Sequence, residues 1–196
     1  MTIIAATQNK NKIREIEFIT KQFGMNVISM KAAGLPDIEV EETGNTFEEN
    51  SLIKAEAIME LCRQVVVADD SGIMVDALDG APGVYSARFA GNVCDDEKNN
   101  EKMLALLKDV PEEKRTAKFV SVITLLYPDG RKLVARGECP GRINVAPRGT
   151  NGFGYDPIFV PDGYDKTYAE LTQDEKNHIS HRAKALEKLK QQLKEE

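Results

Sequence analysis

Two adjacent carboxylates follow an apolar run, and they are the side chains of this sequence best suited to chemistry. The segment Val65-Val66-Val67-Ala68-Asp69-Asp70-Ser71-Gly72 predicts a buried strand that ends at the two aspartates and turns at the glycine. Because neighbouring strand residues face opposite sides, we expect Asp69 and Asp70 to have different roles. Carboxylates at the end of a central strand suit Mg²⁺ binding, although the same residues also favour a plain turn.

A polar segment near the amino terminus could bind phosphate. It lies where a first predicted strand passes into a first predicted helix, and a helix amino terminus attracts anions. The glycines of a P-loop are absent. The alternative is ordinary helix capping by a threonine or asparagine, with exposed lysines. The segment consists of Thr7, Gln8, Asn9, Lys10, Asn11 and Lys12.

An acidic loop precedes the second predicted helix and offers further oxygen ligands. Glu41 or Glu42 could complete a metal site together with Asp70. Acidic loops are more often simply solvated, so the sequence leaves both interpretations open.

Two later segments suit a flat ring. The loop over residues 149–157 contains three glycines around Phe153 and Tyr155, so backbone can approach a planar ligand and an aromatic ring can stack on it. Within this loop, Gly154 and Asp156 would complete a base pocket. Downstream, Lys176 and the run Ser180-His181-Arg182 supply donors suited to ring carbonyl oxygens, and Ser180 also suits helix capping.

Composition limits the class of protein. The chain has 196 residues, 41% of them hydrophobic and 30% charged, with a formal net charge of −6. This charge argues against a protein that follows a nucleic-acid backbone, and we find no apolar run long enough to span a membrane. Three cysteines without metal-type spacing suit a reducing compartment, so we expect a cytoplasmic protein.

The pattern of elements predicts a mixed α/β fold in a single domain over residues 1–196. Strands are expected at 2–6, 26–30 and 158–160, and a hairpin at 117–127 and 131–138 turns at Pro128-Asp129-Gly130. The hairpin makes residues 115–145 a β-rich middle that could form a second lobe beside a cleft. Loop-like sequence with an acidic run from Asp37 separates two helices. The predicted helices cover 10–23, 46–62 with a Thr46/Glu49 capping box, 95–108 and 180–194.

Five motifs occur in the order and approximate spacing of one known family. They are Thr7-x-Asn9-x-x-Lys12, Ala68-Asp69-Asp70-Ser71-Gly72, the segment from Gly80 to Phe89, Gly152-Phe153-Gly154-Tyr155-Asp156-Pro157, and Ser180-His181-Arg182. On these motifs the chain closely resembles the inosine triphosphate pyrophosphatase, or HAM1-like, family over nearly its full length. It departs from many members at Asn11, where they carry a glycine.

The resemblance implies hydrolysis of ITP, dITP and XTP to the monophosphate and pyrophosphate, a long central sheet, two lobes around a substrate cleft, and a homodimer. It implies that Asp70 accepts a proton from water and binds Mg²⁺ with Glu42, either alone or together with Glu41. The remaining roles it implies are all in substrate binding. Residues 7–12 would hold the triphosphate, Ser71 would contact substrate, residues 153–156 would cradle the base, and Lys176, His181 and Arg182 would read its 6-oxo edge.

Two alternatives remain at this stage. A module that binds an unusual purine nucleotide without hydrolysing it would use the same residues, although the Asp-Asp-Ser-Gly run argues against it. A pyrophosphatase for pyrimidine nucleotides, similar to the Maf-type proteins, is nearer in chemistry. The purine interpretation is favoured by Ser180-His181-Arg182 and by the Phe-Gly-Tyr-Asp run.

Overall fold

The computed structural model describes residues 2–22, 24–36, 38–91 and 93–195. Within them, the chain forms six strands and five α-helices. The strands are β1 (Thr2–Ala5), β2 (Asn26–Ser29), β3 (Val66–Val75), β4 (Thr116–Leu126), β5 (Lys132–Ile143) and β6 (Phe159–Pro161). The helices are α1 (Lys10–Lys21), α2 (Phe47–Cys62), α3 (Asp96–Leu106), α4 (Gln173–Ile179) and α5 (His181–Glu195).

The strands form one sheet of mixed direction, in the order β2-β1-β3-β4-β5-β6. β1 pairs in parallel with β2 from Thr2 opposite Asn26, and in parallel with β3 where Ile4 lies opposite Val66. At the other edge, β5 and β6 are antiparallel. The predicted mixed α/β fold with flanking helices is therefore confirmed.

The chain divides into two compact units, and each has its own apolar core. In the first unit, Ile3, Ile16 and Leu186 belong to one cluster and Ile4, Ile58 and Val66 to another. In the second unit, one cluster contains Ile73, Met103 and Phe159. The first unit consists of Met1–Asp70, Ser121–Gly137 and Arg182–Glu196, and the second of Ser71–Val120 and Glu138–His181.

Local capping explains where the first two helices begin. Asn9 precedes α1, and its side-chain oxygen accepts hydrogen bonds from the backbone N–H groups of Asn11 and Lys12. Thr46 precedes α2, and the predicted capping box with Glu49 is confirmed. Both helices therefore start at the positions that the sequence indicates. The predicted end of the first helix at residue 23, like Asp37 of the acidic run, lies outside the described residues.

The strand that carries the two aspartates is longer than predicted. β3 continues through Asp69, Asp70 and Gly72 to Val75, so the predicted end and turn are wrong. Gly72 is needed for packing instead, because a Cβ at this position would lie 2.4 Å from the Gly83 carbonyl oxygen and 2.4 Å from Ser86 Oγ. Beyond the glycine, Ile73 and Val75 enter the core of the second unit, which draws the strand onward.

Two further elements differ from the prediction. β5 runs to Ile143 rather than residue 138, because Cys139 and Ile143 are buried in the second core. Helix α4 was not predicted, and it ends directly before Ser180, after which α5 begins. Among the described residues, no helix is both long enough and apolar enough to cross a membrane.

Candidate active site

Asp69 and Asp70 lie just beyond the parallel pairing of β1 and β3. The Ala6 N–H donates to the Val67 carbonyl at 2.8 Å, after which β3 carries the two carboxylates onward. Both are buried, with 1% and 4% of their surface exposed. The two aspartates therefore lie in the middle of β3, just beyond the end of its parallel partner β1, and not at the end of their own strand as predicted. The carboxyl ends of parallel strands are where open α/β sheets place ligands.

Asp69 belongs to a buried network of opposite charges. Its carboxylate accepts from Arg182 Nη2 at 3.0 Å and Ser121 Oγ at 2.5 Å, and lies 2.9 Å from Lys12 Nζ. Arg182 also donates to Glu15. Burial alone would raise the pKa of Asp69, but the positive charges of Arg182 and Lys12 outweigh it and hold the pKa well below its usual 3.8. Asp69 therefore stays ionised and anchors Lys12.

Asp70 faces a different set of partners, as the alternation of strand residues predicts. Lys54 Nζ lies 2.8 Å from Asp70 Oδ1 and 2.7 Å from Glu42 Oε1, so one ammonium bridges two carboxylates. Burial raises the pKa of Asp70, and Glu42 adds to this, although Lys54 and Lys12 oppose the change. Burial lowers the pKa of Lys54, but the charges of Asp70 and Glu42 outweigh it, and the net pKa is raised above 10.5.

The surroundings of Asp70 fit a hard divalent cation. Asp70 Oδ2 is buried and has no hydrogen-bond partner among the described residues, so one oxygen remains available to a metal ion or to a proton. Asp70 and Glu42 already share a positive charge, and carboxylate oxygens are the ligands that Mg²⁺ prefers. Glu41 is exposed. No cluster of three His, Cys, Asp or Glu side chains occurs in the described ranges, so water and substrate would supply the other ligands.

The residues of the predicted phosphate-binding segment have different surroundings. Asn9 caps α1, which is the structural role that the sequence also allowed, and Thr7 Oγ1 accepts from its N–H at 3.2 Å. Gln8 is tied to the acidic loop, because its side chain donates to the Ile38 carbonyl at 2.8 Å. Thr7, Gln8 and Lys10 line a groove of about 740 Å³ in the first unit, together with Arg14 and Lys31 among others. Asn11 is exposed.

The glycine-rich loop of the second unit holds a buried ion pair under an aromatic ring. Asp156 Oδ2 accepts from the Phe153 N–H at 2.9 Å and lies 2.6 Å from Lys176 Nζ. The ammonium is 4.9 Å from the centre of the Phe153 ring and 5.4 Å from that of Tyr168. Gly152 permits this arrangement, because a Cβ there would lie 1.9 Å from Asp156 Oδ2.

His181 lies in an aromatic stack of the same unit. Its ring is 4.7 Å from that of Phe119 with an interplanar angle of 10°, and 6.4 Å from that of Tyr168. The structure thus brings together Phe153, Asp156, Lys176 and Tyr168, with His181 stacked beside them. Arg182, the next residue, belongs to the first unit, where it bonds to Glu15 and Asp69. Ser71 is half-buried in β3.

Three residues of these networks are missing from the sequence prediction. Lys54 lies on the buried stripe of α2, with Asn50, Ser51 and Ile58, and a charge on such a stripe is a signal that was available. Glu15 gives the same signal on α1, since it is buried beside Ile16. Ser121 sits within the apolar run of β4, and its partner is distant in sequence.

Comparison with known proteins identifies relatives that share one name. The chain is 51% identical over 197 residues to a dITP/XTP pyrophosphatase of Clostridium perfringens, covering 97% of this chain and 96% of the relative. It is 48% identical over 190 residues to a protein of the same name from Bacillus subtilis, covering 97% and 96%.

Solved structures give the same result at the level of the fold. A Ham1 protein of Staphylococcus aureus has a TM-score of 0.86 at 43% identity, covering 99% of this chain and 98% of that one. A HAM1 protein of Coxiella burnetii has a TM-score of 0.87 at 40% identity and full coverage of both. The model of the Ham1 family matches residues 3–192, and the chain therefore belongs to that family.

Proposed function

We propose that this protein is a nucleoside-triphosphate pyrophosphatase that hydrolyses ITP, dITP and XTP to the monophosphate and pyrophosphate. It thereby removes deaminated purines from the nucleotide pool. The observation that carries the proposal is the Glu42–Lys54–Asp70 arrangement, in which two carboxylates share a cation beside a buried, unbonded carboxylate oxygen. Relatives named dITP/XTP pyrophosphatase at about half identity support the substrate class.

The first unit binds the triphosphate and the metal. Asp70 and Glu42 hold Mg²⁺, and this ion supplies charge neutralisation for the phosphates when bound. Lys12, fixed by Asp69, and Lys54, released from the two carboxylates, neutralise the charge that develops on the leaving pyrophosphate. Residues 7–11 bind the remaining phosphate oxygens at the start of α1, where the positive end of the helix dipole favours an anion.

Asp70 is the proton acceptor of the reaction. A water molecule attacks the α-phosphorus and gives a proton to the Asp70 carboxylate, while the bond from the α-phosphorus to the bridging oxygen breaks and pyrophosphate leaves. The unbonded Asp70 Oδ2 is the oxygen that is available to accept this proton. Ser71, the next residue of β3, contacts the substrate.

The second unit binds the base. Phe153 stacks on the purine, Gly154 and Tyr155 shape the loop that contacts it, and Asp156 accepts from a ring N–H. Lys176 and His181 donate to the 6-oxo group. Adenine carries an amino group at this position, so it would leave buried donors unpaired at a cost of about 1–3 kcal/mol each. Arg182 is the third proposed reader of the 6-oxo edge, and it also pairs with Asp69, which fixes Lys12 on the phosphate side.

We also infer a cytoplasmic homodimer. The three cysteines are free thiols, which suits a reducing compartment. Apolar side chains are exposed on the second unit, including Tyr85 at 55% and Leu106 at 50%, and they support an interface with a second copy. Light scattering of the purified protein tests the dimer, since a monomeric mass at micromolar concentration contradicts it.

A product-resolved assay tests the function. The purified protein is incubated with Mg²⁺ and ITP, XTP, dITP, ATP or GTP, and Asp70→Asn serves as the inactive control. We expect monophosphate and pyrophosphate, formed mainly from the first three nucleotides. Orthophosphate release would mean that the cleaved bond is wrongly assigned. Equal turnover of ATP would mean that the base pocket is wrongly assigned. Saturable ITP binding without any product would indicate a nucleotide-binding module instead of an enzyme.

A further inference from the structure

Helix α3 holds two loops of the second unit through neighbouring polar side chains. Asn99 Oδ1 accepts from the Ala90 N–H at 2.7 Å, and Asn99 Nδ2 donates to the Ala87 carbonyl at 3.0 Å. Lys102 Nζ donates to the Phe89 carbonyl at 2.5 Å. These contacts fix the segment that follows the short helix over Gly83–Arg88. Two other residues of α3 reach a different loop.

Asp96 and Asn100 bind both backbone groups of Gly154. The Gly154 N–H donates to Asp96 Oδ2 at 2.7 Å, and Asn100 Nδ2 donates to the Gly154 carbonyl at 3.0 Å. Asp96 and Asn100 are four residues apart, so they lie on the same face of the helix. Asn100 is 8% exposed, and its Oδ1 has no hydrogen-bond partner within the described ranges. Burying this amide with its Oδ1 unbonded costs free energy, and the hydrogen bond from Nδ2 to the Gly154 carbonyl offsets part of that cost.

Gly154 is one of three glycines of this loop with a positive φ. Its φ is 62°, in the left-handed region where glycine has little intrinsic resistance to rotation. Its neighbours are held separately, since the Phe153 N–H donates to Asp156 Oδ2 and Tyr155 Oη donates to the Ser86 carbonyl at 2.8 Å. A rotation at Gly154 would therefore move the Phe153 ring relative to the Asp156–Lys176 pair.

We infer that Asp96 and Asn100 are positioning residues that clamp Gly154 and so fix the base subsite. This inference rests on the proposed function, because that function assigns the base to the loop around Gly154. Neither side chain contacts the base in this scheme. They act through the Gly154 backbone, which keeps the stacking ring and the donors in one arrangement and thereby rejects a 6-amino purine.

Kinetics of matched variants test the clamp. Asp96→Ala and Asn100→Ala are each expected to lower kcat/KM for dITP about tenfold, mainly through KM, and to reduce the preference for dITP over dATP. Asp96→Asn keeps an oxygen acceptor, so it is expected to stay within about threefold of the wild type. Asp95→Ala is the control, since Asp95 caps α3 by accepting from the Lys98 N–H and does not bond to Gly154.

Hydrogen exchange supplies a readout that does not depend on activity. The Gly154 amide is expected to exchange faster in Asp96→Ala than in the wild type or in Asp95→Ala. Unchanged exchange and selectivity in folded Asp96→Ala and Asn100→Ala overturn the inference, and so do equal changes in Asp95→Ala. If the wild type itself does not hydrolyse dITP, the proposed function fails, and a faster exchange confined to the Gly154 region still establishes the clamp.

Discussion

The Lys54 ammonium lies between the carboxylates of Glu42 and Asp70. It lies within 2.8 Å of both carboxylates, and the lysine side chain is only 11% exposed. Two neighbouring carboxylates repel each other, and a positive charge between them offsets this repulsion. The protein thus carries its own counter-charge, which a divalent cation would replace in the proposed function.

Replacing Lys54 by methionine should make stability depend on metal. Without divalent cations we expect Lys54→Met to lose about 3 kcal/mol of unfolding free energy, because Asp70 and Glu42 lose the ammonium that they share. Mg²⁺ should restore much of this loss, whereas the wild type should stay folded after chelation. Urea unfolding with Mg²⁺ or with a chelator measures both effects.

Lys118→Met is the matched control for this change. It removes the half-exposed pair with Glu138, at 2.9 Å, and should cost less than about 1 kcal/mol, independent of Mg²⁺. An equal response of the two variants to Mg²⁺ would show that Lys54 does not share its carboxylates with a metal.

Lys176 determines the preference among bases in the proposed function. Lys176→Met removes a donor for the 6-oxo group but keeps the length of the side chain. We expect the ratio of kcat/KM for dITP over dATP to fall about tenfold, which corresponds to one unmet buried donor. Lys166→Met, at an exposed position, is the control and should leave this ratio unchanged. An unchanged ratio in folded Lys176→Met contradicts the base-reading role.

At the scale of elements, local sequence patterns predict where helices start. They fail for boundaries that depend on packing between distant parts of the chain. The Thr46/Glu49 box and the hairpin turn at residues 128–130 are encoded within a few neighbouring residues, and the structure confirms both. β3 runs past Gly72 because residues 83 and 86 pack against that glycine, and no short window of sequence contains this contact.

The candidate site shows the same difference between local and long-range information. The family resemblance is confirmed, whereas the roles of Asp70, Phe153, Asp156 and Lys176, which their types and motifs indicate, stay predictions. The contacts of Arg182 could not be predicted, because its partners are 113 and 167 residues away in sequence. The cleft and the single domain stay predictions.

Gly72→Ala tests the packing that prolongs β3. The added methyl group would lie 2.4 Å from the Gly83 carbonyl oxygen, and backbone must move to accept it. We expect a loss of about 3 kcal/mol in unfolding free energy, measured by urea denaturation. Gly34→Ala is the control, because a Cβ there meets nothing within 4 Å and only its φ of 72° is strained. The control should cost about 1 kcal/mol, and equal losses would contradict the packing argument.

At the scale of the whole molecule, the two units are interleaved along the chain. The sequence passes from one to the other after residues 70, 120, 137 and 181, and the first three passages fall inside β3, β4 and β5. Asp70 and Ser71 are therefore neighbours in sequence that belong to different units. This division depends on contacts between distant segments, which is why periodicity alone could not predict it.

Tyr155 should make the stability of the molecule fall at alkaline pH. Burial, together with the charge of Asp96, raises the pKa of its phenol above the ordinary value of 10.0. The contribution is complete below pH 10 and is lost as the pH rises further, because the unfolded chain ionises first. We expect the unfolding free energy of Tyr155→Phe to decline less steeply than that of the wild type between pH 9 and pH 11.

Tyr85→Phe is the control for the tyrosine experiment, since Tyr85 is 55% exposed. It should follow the wild-type curve. At pH 8, Tyr155→Phe should be less stable by about 1 kcal/mol, because the Ser86 carbonyl loses its hydrogen bond. Identical slopes for Tyr155→Phe and the wild type would remove Tyr155 as the source of alkaline sensitivity.

The ion network around Arg182 also sets a condition on how the protein folds during synthesis. Glu15 and Asp69 leave the ribosome early, whereas the guanidinium that binds both of them is translated 113 residues after Asp69. Until that residue emerges, closing the first unit would bury two carboxylates without this counter-charge, which is strongly unfavourable. The earliest part of the chain to be made must therefore wait for the last helix before it can complete its interior.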